Sequence, residues 1–441
     1  MIRRLQVPPF EQLQPFLPVR AGSDLETRRQ VDLILAAVRL RGDDAVREYI
    51  REFDGVDLAP SQWELKAREL HDAVDRTPPE ILEALAHAVD RVRAYHERQR
   101  EAGFRLTETD GTLLAMRVTP LDRVGLYVPG GKASYPSTVV MTAVPAIVAG
   151  VREVIAVVPP SGVTDPVLAA CALAGVTRIF RIGGAQAIGA LAFGTATIPR
   201  VDKIVGPGNR WVSEAKRQVS GDVGIDMIAG PTEVVILADS TARPDRVAAD
   251  LVAQAEHDDD ASAWCVTSDE TLAQALPDAL EAALAQAPRA ATARRALEQN
   301  GLLVVVPSIR EGIEVVNLRA PEHLEIVTEG AERVASAVRH AGAIFLGDQT
   351  PEPVGDYLAG PSHVLPTAGT ARYASPLGVY DFVKRTSLIR YSGERLAADA
   401  SHIIALAEAE GLVGHAEAIR VRRAGVGDAG TPARASRVDE G

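Results

Sequence analysis

The fold is decided where the chain reads VGLYVPGG, Val124–Gly131, a short apolar strand that ends in proline and glycine. Three more strand-like segments follow it, at 154–158, 179–182 and 203–205, and a helix-like segment follows each of them. Short apolar runs that alternate with helices are typical of a parallel sheet covered on both faces. The sequence therefore predicts an open, doubly wound α/β domain at 123–233.

Each of these strands ends in glycine or proline, at the carboxyl end where open α/β sheets bind their ligands. Glycine there lets backbone amides come close to a phosphate at the start of a helix. The dinucleotide fingerprint G-x-G-x-x-G is absent, however, and the segment GGAQAIG at 183–189 only resembles it. From these loops alone, nucleotide binding and tight turns without a ligand both stay open.

A second series of strands and helices runs from residue 234 to residue 375. Its strand-like segments are 234–239, 263–267, 302–306 and 342–347. Helix-like segments alternate with them, so the same argument predicts a second α/β domain at 234–375. The predicted fold class is therefore α/β, with two doubly wound, incomplete Rossmann-like domains.

The remaining parts of the chain lack this alternation. Residues 1–122 read as helices that begin at capping boxes at Ser23 and Thr77, and we assign this N-terminal helical segment to the second α/β domain. Residues 376–423 are predicted to form a small C-terminal helical domain. The tail, 424–441, has no periodicity and is predicted to be disordered.

Composition limits the class of function. The 441 residues are 46% hydrophobic and 24% charged but only 4% aromatic, and the formal net charge is -12. This balance disfavours a nucleic-acid partner, since such binding depends on Lys and Arg that neutralise phosphates. Cys171 and Cys265 lie in apolar surroundings far apart in sequence, which indicates reduced thiols in a reducing, cytoplasmic compartment. Neither a secretory signal nor a membrane span is predicted, because prolines interrupt the longest uncharged stretch, 133–151.

One predicted helix carries two polar side chains on its apolar face. Val247, Leu251, Gln254 and His257 recur at helical spacing, so Gln254 and His257 turn toward the core with the two aliphatic residues. Gln and His three residues apart can converge on one point, which is half of a metal site. A core histidine satisfied by a neighbouring carbonyl has the same spacing. This helix alone leaves both interpretations open.

Three further pairs of side chains are capable of chemistry. They are Glu322 with His323, Asp356 with His363, and Glu410 with His415. The first pair follows a proline that fixes its local turn, and the second lies in a glycine-rich loop. Each pair also has an ordinary interpretation, as a solvated carboxylate, a turn aspartate or a helix-end histidine that interacts with the dipole. Because the pairs are dispersed along the chain, spacing gives no argument for a shared metal site.

Seven segments carry a likeness to a known family. They are YVPGGKASYPS (127–137), GGAQAI (183–188), VGPGN (205–209), AGPTE (229–233), AEH (255–257), APEHL (320–324) and EAEGL (408–412). In this order they resemble histidinol dehydrogenase, the bifunctional enzyme that ends histidine biosynthesis. The likeness runs from about residue 123 to residue 421, and many segments in one order are more specific than any single motif.

The resemblance implies that zinc and NAD are cofactors. The zinc ligands it implies are Gln254, His257, Asp356 and His415. The NAD contacts it implies are Tyr127, Gln186 and Asn209, in the domain at 123–233. The substrate contacts it implies are Thr232, Glu322, His323, His363, Glu410 and the four zinc ligands. An amide, a carboxylate and two imidazoles suit zinc and leave positions open for substrate. Thr232 departs from the family motif, which usually has serine there, but keeps the hydroxyl.

The implied reaction takes L-histidinol to L-histidine through L-histidinal, with two NAD and one water. His323, with a pKa near neutral, would take the alcohol proton, and Glu322 would activate water to hydrate the aldehyde before His323 acts again. Zinc would orient the substrate. The resemblance also implies a homodimer, whose partner subunit completes the active site if it supplies His415 and Glu410.

Three alternatives stay open from the sequence. One is a zinc hydrolase in which the metal activates water and the glycine loops are structural. Another is a metal- or nucleotide-binding regulatory protein without catalytic activity. The third, nearest to the main hypothesis, is a zinc-dependent dehydrogenase of another amino alcohol.

Overall fold

The computed structural model describes residues 2–17, 24–130 and 135–424. Within them the chain divides into two compact units, the first built from Met1–Arg100 and Pro120–Val383 and the second from Glu101–Thr119 and Lys384–Gly441. The predicted cap at Ser23 and all but the first residue of the predicted disordered tail lie outside the described residues.

The strands and helices of the described residues are numbered in chain order. The strands are β1 (Arg3–Gln6), β2 (Phe104–Thr107), β3 (Leu113–Pro120), β4 (Arg123–Tyr127), β5 (Glu153–Val157), β6 (Arg178–Phe180), β7 (Lys203–Val205), β8 (Gly224–Ile225), β9 (Glu233–Ala238), β10 (Ser262–Thr267), β11 (Leu302–Val305), β12 (His323–Val327), β13 (Ala343–Leu346) and β14 (Val383–Arg390). The helices are α1 (Leu25–Arg41), α2 (Asp43–Tyr49), α3 (Ala67–Arg76), α4 (Pro79–Glu97), α5 (Pro136–Ala149), α6 (Asp165–Ala174), α7 (Gly184–Phe193), α8 (Arg210–Val219), α9 (Pro244–Ala255), α10 (Glu270–Gln286), α11 (Ala290–Asn300), α12 (Ile309–Arg319), α13 (Ala331–Ala335), α14 (Glu352–Tyr357), α15 (Gly393–Ala409) and α16 (Val413–Ala424).

The first sheet has the strand order β6-β5-β4-β7-β8, and all its strands are parallel. The strand order reverses between β4 and β7, and such a switch point opens a crevice at the carboxyl ends of the two strands. Tyr127 ends β4 and Gly206 follows β7, so the glycine-marked ends lie beside this crevice. The predicted open, doubly wound sheet is confirmed.

The second sheet has the order β1-β11-β10-β9-β12-β13 and is also parallel. Two neighbouring interior strands are β9 and β12, in which His323 is in register with Val234. Both strands are buried along their whole length. Glu322 and His323 therefore stand at the amino end of an interior strand, whereas the sequence directed attention to carboxyl ends.

The N-terminal segment is placed differently from the expectation. Only β1 joins the second sheet, while buried residues of α1 and α4 pack in the two clusters that cover the first sheet. An amphipathic stripe specifies a buried face but not which sheet it covers. The capping box expected at Thr77 is also absent, because the Thr77 hydroxyl donates to the Ala73 carbonyl at 2.8 Å and so ends α3.

The second unit is not purely helical, as the sequence suggested. A three-stranded sheet, in the order β14-β3-β2, accompanies α15 and α16. Two of its strands come from residues 104–120, which the sequence analysis included in a helical segment. The residues of β2 are all exposed and those of β3 are mostly half-buried without alternation, so the pattern of alternating apolar and polar residues that marks a strand with one buried face is weak.

Cys171 and Cys265 are both buried, and neither has a disulfide partner among the described residues. Burial raises the pKa of each thiol to about 12, so both remain protonated at neutral pH. The prediction of two reduced structural thiols is confirmed.

No helix in the described part of the chain combines the length and apolar character that a membrane crossing requires.

Candidate functional site

A buried carboxyl group lies at the start of β12. Glu322 accepts hydrogen bonds through Oε2 from the Thr232 hydroxyl at 2.7 Å and from the Glu233 backbone N–H at 3.0 Å. Burial raises the pKa of Glu322 well above its usual value, more than these two hydrogen bonds lower it. A carboxyl group with a raised pKa is a stronger base once it is ionised, which suits it to remove a proton from water.

The neighbouring imidazole has a defined tautomer. His323 Nδ1 lies 3.0 Å from the Glu233 carbonyl oxygen, and because a carbonyl only accepts, Nδ1 must carry the ring proton. Burial lowers the pKa of His323 to about 4, below the near-neutral value expected from the sequence. The ring is therefore neutral at neutral pH, and Nε2, 3.8 Å from Glu352 Oε1, is the nitrogen that can take a proton.

Three potential metal-binding groups meet beside this pair. His257, Glu352 and Asp356 each offer a donor atom, and these atoms lie within 4.8 Å of one another. Two of the three were predicted, but Glu352 was missed. Its signal was its position four residues before Asp356, since that spacing places both carboxyl groups on one face of a helix. Burial and the neighbouring Asp356 carboxylate raise the pKa of Glu352 to about 10.

Gln254 and His257 are both present at the site, but only Gln254 is on the helix. Helix α9 ends at Ala255, and the chain turns where the Asp258 side chain accepts a hydrogen bond from the Asp260 N–H at 3.1 Å. The expectation that His257 shares the core-facing stripe is therefore wrong, and its side chain is exposed. His257 Nδ1 lies 3.1 Å from the Ala253 carbonyl oxygen, which leaves Nε2 for a ligand.

The Gln254 side chain is fully buried, and one of its polar atoms is unsatisfied. Its Nε2 donates to the Thr232 hydroxyl at 2.9 Å. Its Oε1 has no hydrogen-bond partner among the described residues. Because an unpaired buried oxygen is costly, this atom is suited to coordinate a cation or to accept from a ligand.

Asp356, a member of this cluster, also lies close to His363. Asp356 Oδ1 lies 3.8 Å from His363 Nδ1, and His363 Nε2 lies 3.5 Å from the Thr138 hydroxyl. Burial lowers the pKa of His363, which favours the neutral ring. The segment predicted as a loop contains the short helix α14, and this helix carries both Glu352 and Asp356.

A cavity of about 140 Å³ is lined by residues from loops next to both sheets. Its lining includes Gly206–Gly208 from the carboxyl end of β7 and Thr232, Glu322 and His363 from the cluster. Gly206 has a φ of +108°, and a Cβ there would lie 2.3 Å from the Tyr127 carbonyl oxygen, so only glycine fits. The predicted cofactor loop and Glu322, one member of the predicted catalytic pair, thus border one space.

The three residues predicted to contact NAD are in different environments. Tyr127 is buried, its hydroxyl accepts from the Gly184 N–H at 3.0 Å, and burial raises its pKa to about 12. Gln186 is buried, and its Oε1 has no partner among the described residues. Asn209 is exposed and caps α8 by accepting from the Trp211 N–H at 3.1 Å. Gln186 thus offers a free polar atom, as Gln254 does.

Glu410 and His415 belong to the second unit and are exposed there. Glu410 follows the last turn of α15, and His415 lies in the first turn of α16. The first unit therefore brings together all the predicted metal and substrate residues except these two.

Known proteins of one family are similar to the chain over nearly its whole length. The family model described as histidinol dehydrogenase matches residues 19–423. Histidinol dehydrogenases from Oceanobacillus iheyensis and Pseudomonas aeruginosa are each 49% identical to the chain, over 88% and 96% of its length and 92% and 97% of theirs. The crystal structure of histidinol dehydrogenase from Elizabethkingia anophelis superposes with a TM-score of 0.91 at 34% identity, and covers 97% of this chain and 99% of that one. The resemblance of the seven segments is thereby confirmed, and the chain belongs to the histidinol dehydrogenase family.

Proposed function

We propose that this protein is an NAD-dependent, zinc-dependent histidinol dehydrogenase that oxidises L-histidinol to L-histidine through L-histidinal, with two NAD, in the last step of histidine biosynthesis. Family membership supports an oxidoreductase of histidine biosynthesis. The observation that carries the proposed chemistry is the buried pair Glu322 and His323, a carboxyl group of raised pKa next to a neutral imidazole. Glu322 borders one cavity with the glycine loop after β7.

The residues present fit a zinc ion. Gln254 has an unpaired buried oxygen, and His257 and Asp356 present donors of the N/O type that zinc accepts. These three residues would hold the metal, with His415 as the fourth ligand. Bound zinc would supply an electrophilic centre that orients the polar groups of the substrate. Glu352 lies in the same cluster and adds a further oxygen donor within reach.

The residues present also fit NAD. The buried amide oxygen of Gln186 has no hydrogen-bond partner among the described residues. Gly206 has no side chain, so its backbone can lie close to Tyr127 at the edge of the cavity. Tyr127, Gln186 and Asn209 would hold the cofactor on the first sheet. Bound NAD would accept the electron pair of each oxidation.

Glu322 and His323 divide the proton transfers in this proposal. Nε2 of His323 takes the proton of the substrate hydroxyl, because Nδ1 is already protonated and bound to the Glu233 carbonyl. Glu322 takes a proton from the water that adds to the aldehyde, because burial raises its pKa. Thr232 holds Glu322 through Oε2, so the other carboxyl oxygen would be the one that faces water.

The first expected result is that the purified protein forms NADH from L-histidinol and NAD, with two NADH for each histidine. Removal of metal by a chelator should abolish this activity, and added zinc should restore it. NADH absorbance and amino-acid analysis measure the ratio. A panel of other amino alcohols serves as the control for specificity.

Each alternative gives a different outcome in this assay. A zinc hydrolase would act on its substrate without any change in NADH absorbance. A regulatory binding protein would turn over nothing even with zinc and NAD added. A dehydrogenase of another amino alcohol would prefer a different member of the panel. Any of these results would contradict the proposal.

We further propose that the enzyme is a cytoplasmic homodimer in which the partner copy supplies Glu410 and His415. Both residues are exposed in the second unit, and so are apolar side chains of the same unit, with Leu406 and Val413 each 67% exposed. Apolar side chains this exposed mark a surface that a second copy can cover. Two free, buried thiols fit the reducing cytoplasm.

Mixing two inactive variants tests the shared site. His415→Ala and His323→Asn should each be inactive alone, because one lacks a metal ligand and the other lacks the base. After the two are unfolded and refolded together, mixed dimers should regain activity, since one of their two sites has both native residues. No regained activity in a sample that sedimentation shows to contain mixed dimers would contradict the shared site.

A further inference from the structure

One backbone unit touches both proposed catalytic groups. The Glu233 N–H donates to Glu322 Oε2 at 3.0 Å, and the Glu233 carbonyl oxygen accepts from His323 Nδ1 at 3.0 Å. Glu233 is the first residue of β9, next to β12, so its N–H and C=O face the start of that neighbouring strand. The orientation of this one residue therefore sets the position of Glu322 and the tautomer of His323.

The Glu233 side chain is fixed by a buried cation. Its carboxylate pairs with the Arg319 guanidinium, and the two side chains are only 3% and 7% exposed. Arg319 also donates to the Ser262 hydroxyl at 3.2 Å, and its guanidinium lies 4.8 Å from the centre of the Trp264 ring. Because few other positions satisfy both charges away from water, the pair restricts Glu233 to one orientation.

Arg319 also connects the pair to the catalytic residues along the chain. It is the last residue of α12, and Ala320, with a φ of +51°, and Pro321 turn the chain toward Glu322. The Arg319 side chain thus binds the carboxylate of Glu233, the residue whose backbone holds Glu322 and His323. The ion pair therefore links the end of α12, the start of β9 and the start of β12.

We propose that Glu233 and Arg319 are a positioning pair, which orients the Glu233 backbone so that Glu322 is held for water activation and His323 is held with Nε2 free. This inference rests on the proposed roles of Glu322 and His323. Neither Glu233 nor Arg319 contacts the substrate in this proposal. A purely structural ion pair would instead contribute only to folding.

Single substitutions measure the size of the effect. Glu233→Gln and Arg319→Lys should each lower kcat by about 10- to 100-fold, as is typical when a group that orients a site residue is removed. KM for histidinol should stay near the wild-type value, since neither side chain binds substrate. Nitrogen NMR of the protein with ¹⁵N-labelled histidine should show a single Nδ1–H tautomer for His323 in the wild type and a mixture in the variants.

A double variant separates positioning from stability. Glu233→Leu with Arg319→Met removes both charges together, and apolar replacement of a buried ion pair is often neutral for stability or stabilising. We expect this variant to unfold at or above the wild-type temperature while kcat stays low and the tautomers stay mixed. Asp381→Asn is the matched control, because it breaks the partly buried Lys203–Asp381 pair elsewhere in the same unit, and it should keep the wild-type kcat.

Two results would overturn the proposal. One is a return of kcat to the wild-type value in the double variant, which would make the pair purely structural. The other is a single Nδ1–H tautomer of His323 in Glu233→Gln and Arg319→Lys with unchanged kcat. A wild-type protein that does not oxidise histidinol would refute the proposed function instead, and the tautomer measurement would still test the positioning.

Discussion

The His323→Asn variant should lose both oxidation steps, with kcat reduced by about 10²- to 10⁴-fold, the range for removal of a general base. Asparagine keeps an amide N–H that can reach the Glu233 carbonyl, so the start of β12 should remain folded. It has no nitrogen that can take a proton, however, whereas the neutral His323 ring has Nε2 free. In the proposed mechanism both oxidations depend on that nitrogen, so both should fall together.

Rates of NADH formation from L-histidinol and from L-histidinal, measured separately, check this expectation. The control is His87→Asn, which replaces an exposed histidine of α4 and should leave both rates at the wild-type value. A His323→Asn variant that still oxidised L-histidinal at the wild-type rate would restrict the base to the alcohol step. Retention of both rates would remove His323 from the mechanism.

The Glu322→Gln variant should be impaired mainly in the oxidation of L-histidinal, also by about 10²- to 10⁴-fold. Its amide oxygen can still accept from the Thr232 hydroxyl and the Glu233 N–H, so the geometry of the site should survive. The amide cannot take a proton from water, and hydration of the aldehyde would therefore fail. Oxidation of L-histidinol to L-histidinal should continue in this variant.

A single-turnover experiment distinguishes the two steps. One NADH should form rapidly from L-histidinol in Glu322→Gln, and the second should form slowly or not at all. Glu329→Gln, which alters an exposed glutamate just beyond β12, is the matched control and should give both phases at wild-type rates. Equal loss of both phases in Glu322→Gln would contradict the division of roles between Glu322 and His323.

The sequence predicted most strands of the two sheets because they are short, continuous apolar runs, but it missed β1, β8 and β12, the last of which carries His323. Segments such as 124–128 and 302–306 are recognisable without any tertiary information, since a strand buried on both faces has few polar residues. The placement of α1 and α4 on the first sheet was not predictable in the same way. Their apolar faces would fit either sheet, and only the folded chain decides between them.

The site shows the same division between local and tertiary information. Glu322 and His323 are adjacent, so the sequence already presents them as a pair. Glu352 was missed because its relevance depends on α14, a helix of six residues in a segment rich in glycine and proline. The lowered pKa of His323 could not be predicted either, because it arises from burial among side chains that are distant in sequence.

The two buried cysteines make the chain convenient to label. The sequence contains no cysteine other than Cys171 and Cys265, and both thiols are enclosed in the core with their protons held. Maleimide and iodoacetamide reagents need an accessible thiolate, so they should not modify Cys171 or Cys265 in the native protein. A cysteine introduced on the surface would then react alone, and a fluorophore could be attached at one chosen position without first replacing the natural residues.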